Sequence, residues 1–267
     1  MTISTYILDS FTSTRFKGNP TAVCVLETRL NYEIMHSIAR ELNFPVTAFL
    51  ETKENEKYNI RYFTITGEIP ACGHATLAAA KVVFELTPND TAHFETIENI
   101  TINTKRKDEI IFMTYPKYTT VDFDIAENTL KSLGITHYKP VGFCKELDTL
   151  FIELEDPKLL RELQPDYKLL TESTDQVKEV VITSVSDNSD FDFLLRSFCP
   201  WIGIDEDPVT GSVHSVLAGF WKDRFGKKEL TAYQASDRGG EVIVRAFDDK
   251  VELGGRAVTI LKGELML

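Results

Sequence analysis

The chain has 267 residues, of which 41 are acidic and 29 basic, so its formal net charge is −12. Such an acidic surface repels nucleic-acid backbones and anionic membranes, and no apolar run approaches the ~20 residues that a membrane helix needs. These properties predict a cytoplasmic protein that binds neither nucleic acid nor membrane. The four cysteines form no CxxC pair, so we expect free thiols and neither a zinc site nor a disulfide framework.

Strand-like and helical patterns alternate along the chain. The first nine residues have neither the basic start nor the long apolar core of a secretory signal, and they predict a first β-strand. Apolar residues four apart predict an amphipathic helix over 32–42. In chain order, we predict strands at 6–10, 22–26, 58–65, 110–115, 150–154, 180–184, 241–246 and 256–262, and shorter helices at 127–133 and 158–163. This mixture predicts an α+β or α/β fold.

Long parts of the chain carry little functional signal. The charged run 53–57 predicts a solvated turn, and residues 85–190 contain few motifs. The pattern of elements loses regularity near residues 115–120, where we expect a domain boundary.

The segment Cys72-Gly73-His74 lies between a predicted strand and an Ala-rich helix over 77–84. Small residues along that helix suit one that is enclosed on all sides, because neighbouring backbones can approach it closely. Its first N–H groups can hold an anion. His74 is a candidate acid–base group or, alternatively, a capping or core histidine.

A similar arrangement follows at Asp207-Pro208, where the proline disfavours helix at the preceding residue. A mostly apolar helix is predicted over 212–221, opening at Gly211 and Ser212. Asp207 would then stand beside a helix N-terminus that can bind an anionic substrate, although an ordinary capped turn has the same pattern. His214 is expected to face a helix neighbour.

These pieces together resemble the phenazine-biosynthesis PhzF-like isomerase family, within the diaminopimelate-epimerase-like fold. The matching segments, in the family's order, are residues 9–12, 18–23, 72–76, 196–200, 203–204, 206–212, 234–236, 238–240 and 254–258. The resemblance implies an α+β fold of two similar lobes, each a curled sheet around a central helix, with an active cleft between them. It places the N-terminal lobe at 1–116, completed by a strand at 256–267, and the C-terminal lobe at 117–255.

The resemblance also implies the chemistry and the site. Family members use neither metal nor organic cofactor and are usually dimers, so a homodimer acting on a small carboxylate-bearing molecule is expected. Backbone N–H groups of Gly73, His74, Gly211 and Ser212 would hold the substrate carboxylate. Asp207 and His74 would handle protons, and Asn19 would line the cleft or cap a turn.

One position departs from the family pattern. A glutamate normally precedes the Thr-Ala-Phe segment and serves as the principal proton shuttle, whereas this chain has Val46 there. Loss of a positioned acid–base group typically costs about 10²–10⁴-fold in rate. A glutamate elsewhere (Glu41, Glu51 or Glu68) could replace it.

Cys72 is a further candidate for the missing base. It occupies the place of a catalytic thiol in related racemases, and a helix N-terminus favours the thiolate. The alternative is a small buried hydrophobe.

Two functions follow from these observations. The first is a cofactor-independent isomerase or epimerase that moves a proton on a small carboxylate-bearing metabolite. The second is a non-catalytic small-molecule binding protein on the same fold, which Val46 favours and the presence of Asp207 and His74 disfavours. A hydrolase lacks support because no G-x-S-x-G motif occurs.

Overall fold

The chain divides into two compact units in a computed structural model that describes residues 1–53 and 56–267. Unit 1 comprises Met1–Thr114 with Leu253–Leu267, and unit 2 comprises Tyr115–Glu252. Both units combine curled β-sheet with a few helices, which confirms the predicted α+β class.

The strands are β1 (Thr2–Ser10), β2 (Asn19–Leu26), β3 (Val46–Thr52), β4 (Lys57–Phe63), β5 (Glu68–Ile69), β6 (Thr91–Glu95), β7 (Thr101–Lys107), β8 (Ile110–Pro116), β9 (Lys139–Cys144), β10 (Thr149–Glu153), β11 (Glu179–Val185), β12 (Phe193–Cys199), β13 (Ile204–Glu206), β14 (Glu229–Gln234), β15 (Gly240–Ala246), β16 (Lys250–Gly255) and β17 (Ala257–Met266). The helices are α1 (Tyr32–Leu42), α2 (Gly73–Leu86), α3 (Glu127–Leu133), α4 (Pro157–Glu162), α5 (Tyr167–Ser173) and α6 (His214–Phe225).

The sheet of unit 1 is built around α2. Strand β1 pairs antiparallel with both β2 and β17, β2 runs parallel to β3, and β3 pairs antiparallel with β4. Helix α2 contacts β1, β2, β3, β6 and β17, and residues on every side of it are buried from His74 to Phe84. The expectation of an enclosed helix, drawn from its alanines, is confirmed.

The two faces of strands β2, β3 and β4 carry different neighbours. Thr21 is the register partner of Val46, so both side chains share the face on which Asn19 contacts α2. Phe49 and Glu51 point the other way and pair in register with Arg61 and Asn59 of β4. That opposite face packs against α1 through an apolar cluster that includes Phe49 and Met35.

Unit 2 has its own run of paired strands and its own core. Strands β9, β10, β11, β12, β14 and β15 are successive neighbours, with parallel pairs at β10–β11 and β12–β14 and antiparallel pairs elsewhere. Helices α3, α4 and α5 contribute Leu133, Leu160 and Leu170 to a buried apolar cluster. Helix α6 packs on β14 and β15.

Local signals located several elements and missed others. Helix α1 begins after Asn31, whose side chain accepts from the Ile34 N–H (2.9 Å), and its bounds are those predicted. Helix α6 was predicted from 212 to 221 but begins at His214 and ends before Gly226, which has φ 65°. The predicted turn at 53–57 includes residues 54 and 55, which lie outside the described residues.

Candidate functional site

The first turn of α2 holds the candidate residues of unit 1. Cys72 is the N-cap residue in extended conformation (φ −151°, ψ 119°), and its carbonyl accepts from the Thr76 N–H (3.0 Å) and hydroxyl (2.6 Å). The N–H groups of Gly73 and His74 have no hydrogen-bond partner among the described residues, as expected at a helix start. They can bind an anionic group.

His74 is buried beside Asn19 and Cys72. Its Nδ1 lies 3.1 Å from Asn19 Nδ2 and 3.4 Å from Cys72 Sγ. Because the amide NH2 of Asn19 donates, Nδ1 accepts and the ring proton is assigned to Nε2, which lies 3.6 Å from the same sulfur. The Ser10 hydroxyl donates to the His74 carbonyl (2.8 Å) and so helps to fix the backbone of His74.

The protonation of His74 differs from the sequence-based expectation. Burial lowers the pKa of the His74 imidazole to about 3, so the ring is neutral at physiological pH. A neutral imidazole with its proton on Nε2 can donate a hydrogen bond to a substrate oxygen, but it is a poor proton acceptor. His74 is thus suited to polarising a substrate and poorly suited to general-base catalysis.

Cys72 is the accessible thiol of the chain. Cys24, Cys144 and Cys199 are buried, and burial raises the pKa of the Cys24 and Cys144 thiols to about 11. Cys72 is partly exposed at the start of α2, so it is not the buried hydrophobe that the alternative interpretation required.

Val46 opens β3 and is buried, with 3% of its surface exposed. Its neighbour in the parallel register is Thr21, whose hydroxyl is fully buried and has no hydrogen-bond partner among the described residues. A buried hydroxyl without a partner costs about 1–3 kcal/mol. The valine side chain offers this hydroxyl no hydrogen-bond partner.

The three glutamates considered as replacements lie in other environments. Glu68 makes a bidentate ion pair with Arg61, through bonds of 2.6 and 2.7 Å. Glu51 accepts from Asn59 Nδ2 (3.1 Å) on the sheet face opposite to Val46. Glu41 is exposed on α1. None of them contacts His74 in the described structure, so the alternative in which a glutamate replaces the missing base has no support.

Asp207 is the candidate carboxylate of unit 2. Its N–H donates to the Ser197 carbonyl (3.0 Å), and the Thr210 hydroxyl donates to its Oδ2 (2.5 Å). Gln234 joins the turn by donating from Nε2 to the Asp207 carbonyl (2.7 Å) and accepting at Oε1 from the Thr210 N–H (2.8 Å). Thr210 thereby orients the carboxylate, while Ser197 and Gln234 fix the backbone of Asp207 from outside the turn.

Gly211 and Ser212 lie in a tight turn that leads into α6. His214 N–H donates to the Gly211 carbonyl (3.1 Å) and Ser215 N–H to that of Ser212 (3.0 Å), a tight first turn. In the described part of the chain, the N–H groups of Gly211 and Ser212 have no partner. Gly211 and Ser212 therefore offer the anion-binding donors expected of them.

His214 lies in the core of unit 2, consistent with a structural residue, but its ring contacts Phe193 of β12, whereas a helix neighbour was predicted. It is fully buried, its ring centroid is 5.8 Å from that of Phe193, and neither ring nitrogen has a partner among the described residues. Burial lowers the pKa of its imidazole to about 3.

Sequence reasoning missed two residues that hold Asp207. Thr210 and Gln234 complete the carboxylate turn, yet they are 24 positions apart. Gln234 stands in one of the segments that match the family, which was the available signal. Among the described residues, no cluster of three or more His, Cys, Asp or Glu side chains could hold a metal ion. None of the described helices is long and apolar enough to cross a membrane.

Comparison with known proteins identifies the family. The sequence profile of the phenazine biosynthesis-like protein family, PhzC-PhzF, matches residues 8–263. The chain belongs to this family. It is 38% identical to an uncharacterised isomerase of Halalkalibacterium halodurans over 275 residues, covering all of both chains. The motif-based resemblance is thereby confirmed.

Solved structures agree on the fold. A crystal structure of a PhzF-family protein from Enterococcus faecalis matches with a TM-score of 0.92 and 35% identity, over all of both chains. A hydroxyproline epimerase from Agrobacterium vitis matches with a TM-score of 0.61 and 12% identity, over 99% of this chain and 91% of that one, which shows a shared fold. Family membership and the 38% identical isomerase support an isomerase type of function.

Proposed function

We propose that this PhzF-family protein is an isomerase or epimerase that moves a proton on a small carboxylate-bearing metabolite without metal or organic cofactor. The observation that carries the proposal is the oriented carboxylate of Asp207 next to the unpaired N–H groups of Gly211 and Ser212. A substrate carboxylate held by those donors brings its neighbouring carbon close to Asp207. Charge that develops on the substrate oxygens during proton removal is stabilised by the same donors.

The three catalytic candidates receive different roles in this proposal. Asp207 takes the proton from carbon or returns it. His74, neutral at physiological pH, donates from Nε2 to a substrate oxygen, and Asn19 keeps it in that tautomer. Cys72 is the second proton carrier, because its sulfur is accessible and lies near both ring nitrogens of His74.

A second candidate function is a binding protein that has lost turnover. The specific observation in its favour is Val46 beside the unpartnered Thr21 hydroxyl, at the position of the family's proton shuttle. A protein of this kind would bind the carboxylate at the same backbone donors and leave its carbon-bound hydrogens in place. Small-molecule binding is common to both functions, and only proton exchange separates them.

Deuterium exchange from solvent tests the proposal. The protein would be incubated in D2O with a panel of small amino, hydroxy and cyclohexadienoid carboxylates, and deuterium in the carbon skeleton followed by mass spectrometry and NMR. We expect wild-type exchange that is lost in Asp207→Asn and retained in Asp205→Asn, a matched change at an exposed neighbour. Loss in Cys72→Ala identifies the thiol as the second proton carrier.

The alternative results are equally specific. Binding of a panel member without exchange, with exchange gained only in Val46→Glu, would establish the binding protein and refute the enzyme for that ligand.

A double-mutant cycle on Asp207→Asn and His74→Gln measures whether both residues act on one substrate, an expectation from sequence that stays a prediction. The homodimer and the cytoplasmic location also stay predictions, and light scattering measures the first.

A further inference from the structure

Unit 1 contains a cavity that takes no part in the proposed reaction. It has a volume of about 290 Å³ and is lined by side chains of β3 and β4, the loop after β2, and the loop after β6. Its lining residues Phe49, Glu51, Asn59 and Arg61 point to the sheet face that packs against α1. Val46 and Asn19 occupy the opposite face, so the sheet separates this cavity from the start of α2.

The floor of the cavity is apolar. Leu30, Met35 and Phe49 belong to the buried cluster beneath α1, and they also line the cavity. A volume near 300 Å³ is at the lower end of the range of small-molecule sites, which are apolar with a few placed polar groups. The cavity is therefore suited to a small ligand with an apolar body.

Three cations line the cavity; Lys53 pairs with Glu95 (2.8 Å), while Arg61 and Arg29 retain donors. Arg61 gives Nε and Nη2 to Glu68, while its Nη1 has no hydrogen-bond partner among the described residues. Arg29 is exposed, and no partner is found for its guanidinium in the described part of the chain. Arginine pairs bidentately with carboxylates, so these two side chains match a ligand carboxylate.

An acidic group faces the same space. Glu51 lines the cavity and is half-buried, with Oε2 accepting from Asn59 Nδ2 (3.1 Å) and Oε1 unpaired in the described structure. A ligand with a carboxylate alone would meet repulsion from Glu51, and a ligand with an ammonium alone would meet repulsion from the two arginines. Only a ligand with both charges satisfies all three groups.

We propose that this cavity binds a small zwitterion of the α-amino-acid type with an apolar side chain. The ligand carboxylate contacts Arg29 and Arg61, the ammonium contacts Glu51, and the apolar side chain packs on Leu30, Met35 and Phe49. The site is independent of the proposed isomerase reaction, because it lies on the other face of the sheet.

Binding of three matched probes tests this site. L-Phenylalanine, 3-phenylpropionate and phenethylamine share an aromatic body and differ in their charged groups, and calorimetry and saturation-transfer NMR would report their affinities. We expect L-phenylalanine to bind wild type more tightly than either single-charge probe. Each charge-neutral variant, Arg29→Gln and Glu51→Gln, should weaken L-phenylalanine binding by about tenfold or more.

Controls separate this site from the one at Asp207. Arg40→Gln and Glu33→Gln make the same changes at exposed positions of α1 that do not line the cavity, and they should bind L-phenylalanine as wild type does. Asp207→Asn should also bind it normally. The proposal is overturned if no probe binds wild type, if both cavity variants bind like wild type, or if Asp207→Asn abolishes binding.

Discussion

The buried imidazole of His214 should make the stability of unit 2 depend on pH. Its pKa is lowered to about 3 in the folded state by burial, whereas an unfolded histidine titrates near 6.5. Between these values the unfolded state binds more protons than the folded state, so stability rises with pH and is lost as pH falls below about 6.5. Moving from pH 7 to pH 5 therefore lowers the contribution of His214 to the free energy of unfolding by RT ln(32.6/1.3), about 1.9 kcal/mol.

The perturbation is His214→Leu, which removes the titrating group and fills the apolar site beside Phe193. Both tryptophans, Trp201 and Trp221, lie in unit 2, and the Trp221 ring stacks on Phe193 at 5.4 Å. Tryptophan fluorescence during urea unfolding therefore reports the unit that contains His214. The free energy of unfolding should fall by about 1.9 kcal/mol less in His214→Leu than in wild type between pH 7 and pH 5.

The comparison cancels the carboxylates, because they titrate alike in both proteins. His137 is the matched control in unit 2: it is exposed, and His137→Gln should leave the pH dependence of wild type unchanged. Equal pH dependence of wild type and His214→Leu would refute the reasoning. It would mean that His214 is protonated or solvated in the folded protein.

Three further predictions concern packing and the carboxylate turn. Arg196→Met removes one partner of the buried ion pair with Glu206 (2.7 Å) and should lower the free energy of unfolding by about 3–5 kcal/mol, measured by tryptophan fluorescence in urea. Gly255→Ala places a Cβ 2.6 Å from an aromatic carbon and should lower the free energy of unfolding by about 1–3 kcal/mol. Gly263→Ala, whose Cβ has its nearest atom at 3.6 Å, should lower it much less, and circular dichroism during unfolding measures both. Thr210→Val should slow deuterium exchange about 10–100-fold and Thr210→Ser should restore it, because the hydroxyl that valine lacks donates to the Asp207 carboxylate, the proposed proton carrier. Unfolding curves of Arg196→Met and Gly255→Ala that match wild type would contradict the first two expectations. A Thr210→Val variant that exchanges as fast as Thr210→Ser would contradict the third.

Signals confined to a few neighbouring residues predicted the parts of the fold that depend on local structure. Helix α1 has its capping asparagine and its apolar spacing within a dozen residues, and both bounds were predicted. Strand β12 was missed, although all seven of its residues are buried, because a strand covered on both faces shows no alternation. The start of α6 was placed two residues early, because Gly211 and Ser212 form a tight turn that precedes the helix.

The site shows the same division. Asp207, Cys72 and His74 could be chosen from short motifs, because a helix start and its preceding residue are encoded together. The protonation of His74 could not be predicted, because its pKa depends on burial among residues outside the motif. Ser10 and Asn19 are two such residues that contact His74. Histidine is expected to titrate near neutrality unless tertiary packing removes water from it, and only the folded structure contains that information.

The neutral His74 and the buried Val46 together limit how unit 1 could contribute to proton transfer. Of the three side chains that the sequence singled out there, Val46 cannot ionise. His74 is a poor proton acceptor, because burial lowers the pKa of its imidazole to about 3. Cys72 is then the remaining candidate in that set, and its accessible sulfur is consistent with the role. An enzyme that depends on Asp207 and Cys72 should lose exchange in either single variant, whereas one that depends on Asp207 alone should tolerate Cys72→Ala. The thiol variant therefore decides whether unit 1 supplies a proton carrier or only a hydrogen-bond donor.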